Sequence, residues 1–272
     1  MKYLLLPTLT LLALFSGTAA FTQDAVKTED GFFLPTLEKM AHDDGDKIFT
    51  ICEIFNGESR TAVIRPNIRC HNAYSIAKLF TVATLGIMED EGLLDIDAQD
   101  SSKWPRDFLG ILLSTNLEYK PGEKYVYTDA TFYLASRIAE AKSGEKLNVY
   151  MIRKMLDPLE FSEYAFSTDP QGSPIGATGL YTSTEDMAKL GLVFVQNGVY
   201  KDKRILSQRF VDEAFERTFE LYPVGDEGVA FVKGGMNGQL LYMNRKTKRV
   251  VAIHSYLGDV DAILNFLIKN DK

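Results

Sequence analysis

The chain has 272 residues, 46% hydrophobic and 25% charged, a composition that builds one large domain or two small ones around a substantial core. Its 37 acidic against 30 basic residues give a formal net charge of −7, and no basic block interrupts the sequence. That balance argues against phosphate backbones and anionic membrane surfaces as partners, and His42, His71 and His254 show no ligand spacing that would suit a metal.

At the N-terminus Met1-Lys2 precedes an apolar stretch from Tyr3 to Phe15 and the small residues Gly17-Thr18-Ala19-Ala20. A positive start, an apolar stretch and a small-residue cleavage site make residues 1–20 a signal peptide, so the protein is expected to be exported, periplasmic or secreted. Pro7, Thr8 and Thr10 interrupt the stretch, which falls short of the roughly 20 apolar residues a membrane span needs. No cysteine precedes Cys52, which argues against a lipid-modified N-terminal cysteine.

Residues 21–272 are then read as a single catalytic domain. Residues 35–42 suit a short helix, and Lys47–Phe55 and Arg60–Ile64 are strands joined through the turn pair Asn56-Gly57. From about Asn72 the pattern turns helical and stays apolar nearly all the way round to Met88, which marks a buried helix ending near Gly92. Further helices are expected at about 129–143, stopped by Gly144, then at 146–156, at 183–197 from a Ser183-x-x-Asp186 start, and at 207–217. Val229–Val232, Gln239–Asn244 and Arg249–Ser255 return to strands, and a last helix runs over about 259–269. Strands at both ends with helices between them give an α/β fold of the α+β kind. One antiparallel sheet (about 21–66 plus 222–272) is flanked by helices and interrupted by a helical insertion lobe (about 67–221), with a cleft between the two lobes as the natural binding site.

Three sets of residues carry chemistry. Ser75-Ile76-Ala77-Lys78 is an S-x-x-K; a second match, Ser143-Gly144-Glu145-Lys146, sits at a helix end beside a glycine stop. Ser75 instead opens the most buried helix. Three residues along a helix place Lys78 on the same face, one turn further. The helix dipole and an apolar setting both favour the uncharged amine that a general base requires. If Ser75 were only a helix cap, the position three residues on would want Glu or Gln rather than Lys. The second set is Tyr127-Thr128-Asp129, with Asp129 read as the N-cap of the following helix and Tyr127 as a residue of the cleft. The third is Lys233-Gly234-Gly235-Met236-Asn237-Gly238 at the end of one expected strand and the start of the next, where small residues let another backbone approach and the lysine is suited to a substrate carboxylate. Cys52 and Cys70 either pair in an oxidising compartment or remain two separate thiols.

In this order and at these separations the three sets resemble the S-x-x-K, Tyr-x-Asn and Lys/His-x-Gly motifs of the serine β-lactamases and penicillin-binding proteins, with the tyrosine of the class C and esterase branch. The text Tyr74–Asp97, Pro121–Gly144 and Gly179–Ala214 looks like the same family, and the resemblance covers most of residues 47–257. It implies a serine hydrolase that forms an acyl-enzyme on a small-molecule or peptide substrate (β-lactam, peptide, amide or ester) without a cofactor. Ser75 is then the nucleophile and Lys78 its base, and Tyr127 carries the proton to the leaving group. Asp129, Lys233 and Gly235 touch substrate, and the backbone N–H groups of Ser75 and Met236 form the oxyanion hole. Two positions depart from the family: Asp129 stands where Asn is usual, and Gly234 lacks the middle hydroxyl. Those departures suit a different class of function, a penicillin-binding-like sensor that binds or acylates without turnover, whereas the presence of Ser75, Lys78 and Tyr127 together suits the hydrolase.

Overall fold

A computed structural model of the chain describes residues 28–94, 119, 123–124, 126–225 and 228–272. The expected signal peptide and Pro121-Gly122 lie outside the described residues. Strands β1 (Ile48–Phe55) and β2 (Glu58–Val63) form the hairpin the Asn56-Gly57 pair announces, both turn residues at positive φ (50° and 79°), as a two-residue hairpin turn of the primed type requires. They join strands from the far end of the chain: β8 (Tyr222–Val224), β9 (Ala230–Gly235), β10 (Gln239–Asn244) and β11 (Arg249–Ser255). The result is a six-stranded antiparallel sheet in the order β2-β1-β11-β10-β9-β8.

Because β1, β10 and β11 are buried nearly throughout, both faces of the sheet must be covered. One face receives α1 (Leu34–Asp43) and the C-terminal helix, labelled α7 here (Val260–Asn270), whose Leu37, Ile263 and Leu267 pack on Ile51, Tyr242, Val251 and Ile253. The other receives the insertion: α2 (Ala77–Asp90), α3 (Asp129–Ser143), the short α4 (Leu147–Met151) running into a π-turn at Ile152–Leu156, α5 (Thr184–Val195) and α6 (Gln208–Glu216). Although the sequence assigns α5 to the insertion lobe, it lies directly on the sheet. Gly191 is what lets it approach, since a Cβ there would come within 2.7 Å of Val250 and 3.1 Å of Leu241. Two small sheets, β3 (His71–Asn72) with β5 (Leu180–Thr182) and β4 (Tyr164–Phe166), and β6 (Val199–Tyr200) with β7 (Lys203–Arg204), are additions that no alternation in the sequence announces.

Helix boundaries follow their caps. Ser183 accepts from the Asp186 N–H and Gly144 closes α3 in the left-handed region. Asp129 proves not to be the N-cap of α3. Thr128 holds that position in an extended conformation and accepts from the Ala130 N–H, which leaves the Asp129 carboxylate free to point elsewhere. Nor do the two cysteines pair: Cys52 is buried in β1 with its Sγ 3.4 Å from Ser59 Oγ, while Cys70 is exposed on the approach to β3. Among the described residues no helix is long and apolar enough to cross a membrane.

Candidate active site

Ser75 sits in a single 3-10 turn, Tyr74–Ile76, that feeds directly into α2. The turn is held in an unusual conformation: Tyr74 has φ 46°, a region a bulky side chain rarely occupies, and its N–H donates to Asn72 Oδ1 at 2.8 Å. One helical turn on, Lys78 is fully buried (0% exposed). Its Nζ lies 3.1 Å from Ser75 Oγ, 2.9 Å from the Ala177 carbonyl and 2.6 Å from Asp129 Oδ1. A primary ammonium has three N–H donors, and three acceptors surround this one. The neutral amine fits the same cage, giving two N–H bonds to Ala177 and Asp129 and turning its lone pair to the Ser75 hydroxyl. Lys78 is therefore oriented at Ser75 in either protonation state.

The cage depends on a loop the sequence does not single out. Gly176 adopts φ 72° and passes so close to α3 that a Cβ would meet the Phe132 carbonyl at 2.6 Å. Its own carbonyl accepts from Thr81 Oγ1 at 2.7 Å, and so the next residue, Ala177, delivers its oxygen to Lys78.

Tyr127, half exposed just before α3, places its ring between two lysines: the centroid is 4.9 Å from Lys78 Nζ and 5.2 Å from Lys233 Nζ. Lys233 and Gly235 lie two residues apart on β9 and so face the same side of the sheet. Gly235 is pressed against the turn before Ser75, where a Cβ would come within 2.8 Å of the Ala73 carbonyl. Thus the glycine meets the close approach the sequence anticipates, made by the protein's own backbone. Lys233 departs from its expected role. It is buried and ion-paired with Glu220 Oε2 at 2.5 Å, the two side chains 3% and 4% exposed, so the cation expected to be free for a substrate carboxylate already has one.

Met236 begins the turn from β9 to β10, and two side chains fix that turn. Gln239 donates through Nε2 to the carbonyls of Met236 (3.2 Å) and Ser255 (2.7 Å), and its Oε1 accepts from the Ser255 N–H (3.2 Å) and lies 2.9 Å from His254 Nδ1. Asn237 donates through Nδ2 to the Tyr74 hydroxyl at 3.1 Å, tying the strand turn to the nucleophile's turn. His254 and His71, distant in sequence, stand ring against ring at 5.6 Å behind this junction. Burial, with the neighbouring His71 ring second, pushes His254 down to about 3, and burial also lowers His71.

The structure therefore brings Ser75, Lys78, Tyr127, Asp129, Lys233, Gly235 and Met236 into one region, and adds Glu220, Ala177, Asn237 and Gln239. Asn237 stood within the third motif and Gln239 opened an expected strand, while Glu220 and Ala177 lay in neither. None of the four was expected to act at the site, because the importance of each lies wholly in what it touches.

The sequence model of the Beta-lactamase family matches residues 98–261, well over half the chain, beginning after Ser75 and Lys78. A protein of Escherichia coli K12 assigned as a D-alanyl-D-alanine carboxypeptidase is 32% identical over 81 residues, a match that spans 29% of this chain and 19% of that protein. Among solved structures, one assigned as a 6-aminohexanoate-dimer hydrolase from Bacillus anthracis superposes with a TM-score of 0.69 at 18% identity, covering 86% of this chain and 80% of that one. A penicillin binding protein from Bacillus halodurans does so with a TM-score of 0.67 at 15% identity, over 85% and 98% of the two chains. At these identities the structural likeness speaks for the fold, which is that of the β-lactamases and transpeptidases.

Proposed function

The chain belongs to the Beta-lactamase family of hydrolases, and from that premise we propose that it is an exported serine hydrolase working through an acyl-enzyme on Ser75. The observation that carries the reading is the Lys78 amine, buried, 3.1 Å from Ser75 Oγ and also in contact with the Ala177 carbonyl and the Asp129 carboxylate. Ser75 Oγ attacks the substrate carbonyl as its proton passes to Lys78 Nζ. The oxyanion is received by the N–H groups of Ser75 and Met236, and the Gly235–Ala73 approach, the Asn237–Tyr74 bond and the Gln239 clamp support that arrangement. Tyr127, its ring beside Lys78, relays the proton to the leaving group as the scissile bond breaks. Water then attacks the Ser75 ester, a proton returns to Oγ, and the free acid leaves.

The Asp129 carboxylate on Lys78 favours a second reading, in which Ser75 is acylated but released slowly, as in a sensor. Intact mass after a fluorophosphonate and after a β-lactam separates the two, with Ser75→Ala as control. The hydrolase is expected to turn substrate over, with an adduct trapped by the phosphonate on the parent and absent from Ser75→Ala. A long-lived adduct with the β-lactam and no turnover of any ester or amide selects the sensor. No adduct and no turnover from folded protein overturns both.

A further inference from the structure

We propose that the acyl donors accepted at Ser75 carry no carboxylate beside the scissile carbonyl, and that Asp129 and Glu220 together enforce this; the inference rests on Ser75 being the acylated residue. Among the described residues, the two lysines of the site each already face a carboxylate before any substrate arrives. Lys78 is paired with Asp129, whose side chain is 65% exposed and so presents its second oxygen to whatever enters. Lys233 is paired with Glu220 in a buried contact.

For an incoming carboxylate to use Lys233, it would have to break or share the buried Lys233–Glu220 contact. Separating a buried ion pair is costly. For it to use Lys78, it would have to displace Asp129 from the amine that activates Ser75, or sit beside it as a second anion. Like charges brought together in a partly desolvated site are the usual means by which a protein rejects a ligand.

Among the described residues, aromatic and aliphatic side chains are exposed near these lysines. Tyr127 and Tyr222 are exposed and flank Lys233, the Tyr222 ring at 5.3 Å from its Nζ. Met236 and Leu257 are exposed about the β9–β10 turn, where the Leu257 N–H donates to the Asn237 carbonyl at 2.9 Å. Two lysines already facing carboxylates, with exposed aromatic and aliphatic side chains nearby, fit uncharged esters or amides that have apolar or aryl groups next to the reacting bond.

The experiment compares two aryl esters of N-benzoylglycine that differ only in the leaving phenol, one with a meta-carboxylate and the other with the meta-carboxamide. Phenol release gives kcat/KM for each, and a fluorophosphonate adduct on Ser75 is read on the same preparation. The carboxamide ester is expected to be favoured by about tenfold or more at low ionic strength. The preference should shrink in 1 M NaCl, and in Asp129→Asn, an exposed position whose fold is checked by its melting curve. Taking the ratio of the two esters cancels any effect of Asp129 on Lys78 that both share. A ratio near one, an inverted ratio, or one untouched by both salt and Asp129→Asn overturns the proposal while leaving a Ser75 hydrolase in place. Loss of both turnover and adduct means that the hydrolase reading itself has failed.

Discussion

Each side of the six-stranded sheet holds a buried cation, Arg249 on β11 itself and Lys78 on α2. On the face covered by α1 and α7, the Arg249 guanidinium bonds Glu53, Asp271 Oδ1 at 3.1 Å and the Gly31 carbonyl at 2.9 Å, with Phe33 and Phe55 stacked at 4.3 and 3.8 Å. Both acids are as buried as the arginine, and Glu53 also accepts from the Phe33 N–H. On the insertion face, Lys78 is just as buried, yet its carboxylate partner stands mostly in solvent and another of its contacts is a serine hydroxyl. An arginine fork held by two buried carboxylates and a carbonyl ties together chain segments that are far apart: the segment before α1, β1, β11 and the segment after α7. A lysine with one partner in water and one on a nucleophile can exchange a proton and let a ligand in. The difference is one of partners rather than of burial, and it separates a cation that holds the fold from one that serves chemistry.

Matched substitutions break the comparison most directly. Lys78→Met keeps the volume and removes the amine; acylation of Ser75 should fall by roughly 10²–10⁴, measured as the rate of phosphonate or ester adduct formation. Its melting temperature should move little, because Asp129 returns to water. Arg249→Met should do the reverse. It strands Glu53 and Asp271 in the interior, at a cost of about 3–5 kcal/mol by denaturant titration, while the protein that remains folded keeps its turnover. Equal losses of stability in the two variants would show that the faces are built alike.

A smaller effect sharpens the view of the insertion side, where His254 and His71 stand behind the Ser75 turn. Both imidazoles are held below their ordinary value by burial, so the unfolded chain binds protons that the folded protein refuses. Stability is then complete above the unfolded value of about 6.5 and is lost as pH falls toward the folded value of His254, about 3. The slope from His254 alone approaches about 1.4 kcal/mol per pH unit in that window. Denaturant midpoints from pH 7 to 4 should show it, and His254→Asn should flatten the curve. A curve of unchanged slope in the variant removes the assignment.

The smallest effect is a count of thiols. Burial pushes the Cys52 thiol up to about 11, whereas Cys70 is exposed. An uncharged thiol reagent should modify one cysteine in the native protein and two in urea. No modification in urea without reductant would mean a disulfide.

The sequence by itself determined the elements whose signals are local. Asn56-Gly57 dictated its hairpin because the turn demands two left-handed residues, Gly144 stopped α3 for the same reason, and the all-round apolar pattern of α2 required burial on every side. It also placed Ser75 and Lys78 on one helix face, since that follows from helix geometry alone. What it left open depended on contacts between distant residues. The short strands β3 to β7 alternate too briefly to be read, and Cys52 and Cys70 have the composition of a pair but not the positions. Asp129 looked like a cap because its type and place allowed it; Thr128 took the cap, and the carboxylate went to Lys78 instead. Lys233 looked free because Glu220 lies 13 residues away, beyond any spacing rule. Local backbone preference can be read along a chain, whereas the charge state of a site is decided by which side chains the fold sets face to face.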